Sequence, residues 1–276
     1  MLSTLTPSPV VHHHLDLTGQ NVLTIGSWVL TFVLLGVAVQ LGRKESKTPF
    51  YVLMVLAAMV AAFAEPLYDV AFSLYFYSTH GMHRTITAFG IPQPIWAYSG
   101  YAVLYAAPAI YIVRKFQQGK LTSRSLVPIA GVTFLMSCVF EIVGINAGAY
   151  TYWGPHVLRI AHFPVVVGVL ETAQVMCFAV GAAFLRDRVK GPVGLLGLFI
   201  LFPCTFFMAN FGAGAPTIIA IHLKGTTPLL VTLMSLLSIG AAAALIRGAA
   251  SLLPRAAVEP QPAPAVRGEI GLAAAS

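Results

Sequence analysis

Seven apolar runs, each about as long as the 17–25 residues needed to cross a ~30 Å hydrocarbon core and some with longer wings, leave this chain few folds. They are Asn21–Leu41, Phe50–Tyr77, Pro94–Val113, Ser125–Asn146, Ile160–Leu185, Val193–Leu223 and Pro228–Ile246. In lipid every backbone N–H and C=O needs an internal partner, and long continuous runs meet that need as helices. The chain is 58% hydrophobic and 9% charged, which excludes an ordinary soluble domain. The expected fold class is therefore all-α, a polytopic seven-transmembrane-helix bundle.

Charge placement sets the expected orientation. Arg43, Lys44 and Lys47 follow the first run, and Arg114, Lys115, Lys120 and Arg124 follow the third. Arg186, Arg188 and Lys190 follow the fifth; Arg247, Arg255 and Arg267 follow the seventh. Only Arg84, Arg159 and Lys224 remain for the opposite face, so the positive-inside rule places the N-terminus outside and the C-terminus in the cytoplasm. The net charge of +7 forms no basic stripe with interleaved aromatics, and no nucleic-acid partner is expected.

Residues 1–20 read as a flexible outer leader containing His12, His13 and His14, without the n-region and h-region of a removable signal. The membrane domain spans 21–249, and the Pro- and Ala-rich stretch 250–276 reads as a disordered cytoplasmic tail. Cys138, Cys177 and Cys204 fall inside the runs and read as buried packing residues. His80 and His83 sit in a loop, so neither a metal nor a cofactor is expected. The partners expected are the lipid bilayer, with the cell membrane as the expected location, and a lipophilic isoprenoid substrate, with a monomer as the default state.

Four acids lie within the apolar runs: Glu65, Asp69, Glu141 and Glu171. A charged acid at the bilayer centre costs about 2.5–3.5 kcal/mol on insertion scales, so groups of this kind are functional candidates. Glu65 and Asp69 stand i, i+4 in EPLYD and share a helix face. Pro66 should kink the helix beside them and free a carbonyl that needs a partner. At 1.5 Å per residue, Glu65 lies ~22 Å and Glu141 ~24 Å above the cytoplasmic ends of their runs, and Glu171 ~16 Å below the outer end of its own. All three can therefore line one cavity, joined by Asn210, Gln174, Tyr68, Tyr98, Tyr101 and Tyr105. The outer loop AGAYTYWGPHVLR adds Tyr150, Tyr152, Trp153 and His156.

No Lys or Arg stands beside these acids, so they avoid uncompensated charge by keeping or sharing protons. Ionising an allylic diphosphate needs magnesium on two acidic motifs and basic residues for the leaving group, and only one such spacing is present. A retinal-type pigment needs a mid-membrane lysine, whereas Lys224 sits at a helix end. Protonating an alkene or epoxide needs only an acid, a shaped aromatic cavity and exclusion of water. Aromatic faces stabilise the resulting cation by about 0.5–2 kcal/mol each.

The span count, the size, EPLYDV and the block FEIVGINAGAYTYWGP (Phe140–Pro155) together resemble the small integral-membrane terpene cyclases, both fungal meroterpenoid-type and bacterial drimentine-type. The block is also similar to membrane carotenoid-modifying enzymes. The resemblance implies protonation of a prenylated substrate and ring closure through a carbocation cascade. It places the early-helix acid at Glu65, with Asp69 second. The family's late-helix Asp has no counterpart, because the sixth and seventh runs hold no acid, so Glu141 or Glu171 would fill that role.

The expected function is acid-initiated, metal-independent cyclisation of a lipophilic isoprenoid. Glu65 or Asp69 is the expected general acid, with Glu141 and Glu171 tuning it or taking up the final proton. Tyr68, Tyr101, Tyr150, Tyr152, Trp153 and Asn210 are the expected substrate-binding residues. The alternatives are a carotenoid hydratase or cyclase and, from different classes, a proton-coupled transporter or channel, or a seven-span receptor.

Overall fold

A computed structural model describes residues 14–45, 48–78 and 81–254. The predicted leader up to His13 and the tail from Arg255 onward lie outside the described residues, as do Lys47 and His80. The rest is mostly helical, and six helices are long and apolar enough to cross a membrane. Their outer faces carry the apolar surface that acyl chains would cover, such as Ile25 and Phe32 on the first helix and Val132 and Leu135 on a later one.

Helix α1 (Leu17–Glu45) is longer than its predicted run at both ends. The second run does not continue to Tyr77. It forms α2 (Phe50–Ala61), a 3-10 turn at Ala62–Ala64 and α3 (Glu65–Phe72), and ends at Ser73, whose φ of 51° is left-handed. Pro66 explains the break, because it has no N–H to offer the carbonyl four residues earlier. That carbonyl belongs to Ala62, and the fully buried side chain of Gln93 donates to it instead.

The third run gives α4 (Trp96–Tyr101), a π-helical segment at Ala102–Ala106 and α5 (Ala107–Gln117), an unbroken helical rod with Pro108 just after its wide turn. Helix α6 (Ser123–Asn146) starts at a capping box in which Thr122 and Ser125 satisfy each other's backbone N–H groups. Helix α7 (Val165–Arg188) begins five residues later than predicted, since Pro164 favours extended backbone before it and a helix start after it. Buried on almost every face, α7 is the axis of the bundle.

The sixth run is again segmented. After a 3-10 stretch (Val193–Gly197) come α8 (Leu198–Phe207), a π-helical segment (Met208–Ala213) and α9 (Ala215–His222). Helix α10 (Pro228–Ser251) runs past its predicted end. Residues 250–254 are not the start of a loose tail: Leu253 is buried and the Pro254 carbonyl accepts from Ser123 N–H. Of the three thiols read as buried, Cys138 is buried, Cys177 half-buried and Cys204 exposed.

The loops at one end of the bundle are not purely helical connections. Strand β1 (Leu74–Phe76) pairs antiparallel with β4 (Tyr150–Tyr152), β2 (Arg84–Ala88) with β3 (Ile91–Pro94), and β5 (Arg159–Ile160) with β6 (Phe163–Pro164). At the other end of the bundle, a polar cluster ties four helix ends together. Arg114 pairs with Glu45 at 3.0 Å, Tyr51 donates to Glu45, and Arg186 donates to Tyr51 and Gln117.

Candidate functional site: a carboxyl and tyrosine chamber

The β1–β4 ribbon builds the roof of the site. Its register sets Leu74 against Tyr152 and Phe76 against Tyr150, and strand alternation turns these four to one side. That side is inward: all four are buried, while Tyr75 and Thr151 are only half-buried. Phe76, Trp96 and Tyr150 stack against one another with ring centroids 5.5–5.7 Å apart. Tyr150 can fold back onto α6 only because residue 144 is glycine; a Cβ there would meet the tyrosine hydroxyl at 2.4 Å.

Beneath the roof lies a cavity lined by Glu65, Glu141 and Glu171, with Tyr68, Tyr101, Tyr105, Tyr150 and Tyr152. Its other walls are apolar, among them Leu104 and Phe140, and among the described residues no Lys or Arg lines it. Its free volume is about 30 Å³. A water needs roughly 10–15 Å³ on this measure, so the chamber has room for about two or three.

Each carboxyl is held differently. Glu65, at the start of α3, accepts from the Tyr101 hydroxyl through one oxygen. Glu141 accepts from Tyr152 at 2.8 Å through one oxygen. Both Glu171 oxygens are engaged: Tyr105 donates to one at 3.1 Å and Ser137 to the other. The Tyr68 and Tyr152 hydroxyls, 3.4 Å apart, link these groups across the chamber. So hydroxyls reach both oxygens of Glu171, whereas Glu65 is held by Tyr101 and Glu141 by tyrosines of the roof.

The expected residues do not all meet. Glu65, Glu141, Glu171, Tyr68, Tyr101, Tyr150 and Tyr152 line the cavity. Asp69 does not, although it is fully buried on the same helix as Glu65. Asn210 is also outside; its amide donates to the Phe206 carbonyl at 3.1 Å within the π-helical segment, where the helical ladder is disturbed. Trp153 is half-buried and off the cavity, with its backbone N–H bonded to Ser73 at 2.6 Å, because strand alternation ends at Tyr152. Tyr98 bonds Gln93 at 3.1 Å and does not line the cavity either. Trp96 and Ser137 were not foreseen. Ser137 stands one turn before Glu141 on α6, a polar i, i+4 pair that the sequence displays.

The roof is anchored by His156, whose Nε2–H donates to the Phe72 carbonyl at 2.8 Å, and by Arg159, which donates to the carbonyls of Tyr152, Gly154 and His156. Burial, reinforced by the charge of Arg159, lowers the His156 pKa from 6.5 to about 4. The unfolded chain therefore takes up a proton that the folded chain refuses as pH falls from about 6.5 to about 4, and stability falls with it. Across that window the loss should approach about 3 kcal/mol. Melting of wild-type protein should therefore be steeper in pH than melting of His156→Gln, and identical slopes would contradict this origin.

The chain matches no protein-family model, no curated protein and no solved structure.

Proposed function

We propose that this protein is an integral-membrane isoprenoid cyclase that starts its reaction by protonating an alkene or epoxide. One observation carries the reading: three glutamic acids from separate helices face a single chamber walled by tyrosines and apolar side chains, with no base beside them. Glu65 is the donor in this reading, since Tyr101 orients one of its oxygens and its side chain lines the chamber. Glu171, whose two oxygens both accept hydrogen bonds, suits the carboxylate that takes the final proton. Tyr68, Tyr101, Tyr105 and Trp96 would flank the cation in between.

A lipophilic substrate needs several hundred Å³, far more than the closed chamber offers. Its admission therefore requires the β1–β4 roof to move. In this reading the Trp96–Gln117 rod is a seventh crossing, the N-terminus lies outside, the basic cluster faces the cytoplasm, and the cell membrane houses the protein.

The small, acid-lined chamber supports a second reading as a proton pathway, in which the same acids relay protons across the bilayer. Lipid extracts from cells with and without the gene separate the two. An isoprenoid converted to an equal-mass isomer supports cyclisation, and a mass gain of one water supports the related hydratase. Unchanged lipids with pH-driven flux in liposomes would replace the enzyme with the pathway.

A further inference from the structure

Beside the chamber, on its α9 side, lies a second polar group that the proposed chemistry does not use. Asp69, Gln174 and Asn210 are each 0% exposed. Both Asp69 oxygens, both polar atoms of the Gln174 amide and the Asn210 Oδ1 lack a hydrogen-bond partner among the described residues. Leaving any such atom unmet in a buried site costs about 1–3 kcal/mol, and more for a charge.

Packing sets the three at one level on neighbouring helical segments. A Cβ on Gly214 would touch Leu170 of α7 and Phe72 of α3, each at 3.0 Å, so the three helical segments meet closely there. About one turn toward the basic end from each contact residue stand Gln174, Asp69 and Asn210 respectively. The ring contact of Tyr68 with Phe206, at 5.9 Å, holds α3 against the same segment a turn from Asn210.

The unmet atoms are unbalanced: four are oxygens that accept and only the Gln174 Nε2 donates, because the Asn210 amide is already spent on Phe206. Such a group calls for a positively charged guest. One carboxylate matches one positive charge, and carboxylate and amide oxygens are hard ligands of the kind alkali and alkaline-earth ions take. Asn210 also lies in a π-helical segment, an irregularity of the kind frequent at functional sites. We infer that Asp69, Gln174 and Asn210 form a binding site for a monovalent alkali cation, which lets Asp69 stay charged inside the bundle. This assignment does not rest on the proposed cyclase activity.

Thermal unfolding of the detergent-solubilised full chain tests it, with Na⁺ or K⁺ replacing N-methylglucamine at constant ionic strength and pH. A saturable rise of roughly 5 °C or more with either alkali ion is expected once its concentration reaches about 100 times its dissociation constant. Asp69→Asn keeps the side chain's shape and removes its charge, and Gln174→Met keeps length and removes the oxygen. Loss of the alkali response is expected in each variant that folds. No alkali response in wild-type protein would mean the group holds water alone and would overturn the proposal. A response that persists in either variant would place the ion elsewhere and overturn it too. Should neither variant fold, saturable ²²Na⁺ or ⁸⁶Rb⁺ binding to wild-type protein decides the matter, with absence of binding counting against the site.

Discussion

Glu65→Gln should lower formation of the isomeric isoprenoid by about 10²–10⁴-fold per folded protein, the range expected for loss of a general acid. The change is nearly isosteric and leaves Tyr101 an oxygen to donate to, so the bundle should persist. Linear substrate should accumulate in membranes expressing the variant. Tyr101→Phe removes the orienting hydroxyl and leaves the acid, so its effect should be roughly tenfold, in the manner of a single lost hydrogen bond. Asp69→Asn should reduce turnover at least about tenfold less than Glu65→Gln, because its carboxyl does not line the chamber. Product yields from lipid extracts, normalised to folded protein, give the ranking. Full isomer formation by Glu65→Gln would remove Glu65 as the donor.

Gly214→Ala should be among the most damaging single-methyl additions in the bundle. The new carbon would sit 2.0 Å from the Asn210 carbonyl oxygen and 3.0 Å from Leu170 and Phe72. A backbone oxygen in the π-helical turn cannot rotate away as a side chain can, so segments from three helices must separate. Overpacking of this kind costs about 3 kcal/mol at the upper end of its usual range, or roughly 6–12 °C in melting temperature for a chain of this size. Gly212→Ala, two residues earlier, is the matched control. There the nearest atom outside the helix's own immediate turn is the Phe207 carbonyl at 3.8 Å, and the shift should be small. Equal melting of the two variants would show that the close approach at Gly214 is not what holds α3, α7 and the sixth run together.

Much of the chamber was legible in advance. Helical rise put Glu65, Glu141 and Glu171 at compatible depths, and they line one cavity. The i, i+4 spacing that grouped Asp69 with Glu65 was less informative. Two residues sharing a face still differ by a fraction of a turn, and in a bundle this narrow that difference separates cavity wall from helix contact. Pro66 correctly signalled a freed carbonyl, but its partner, Gln93, arrives from a loop distant in sequence. Tyr150 and Tyr152 were expected at the site and line it, but the ribbon that carries them was not legible. Their inward direction depends on pairing with Leu74–Phe76 across a long separation.

Local chemistry alone determined that this is a helical membrane protein with acids it can neither expose nor neutralise with bases, because apolar run length and residue charge are properties of short segments. Which acids share a chamber, which oxygens remain unmet and which aromatics turn inward were decided only by tertiary structure. Those outcomes depend on fractions of a helical turn and on strand register, and both are set by packing between segments far apart in the chain.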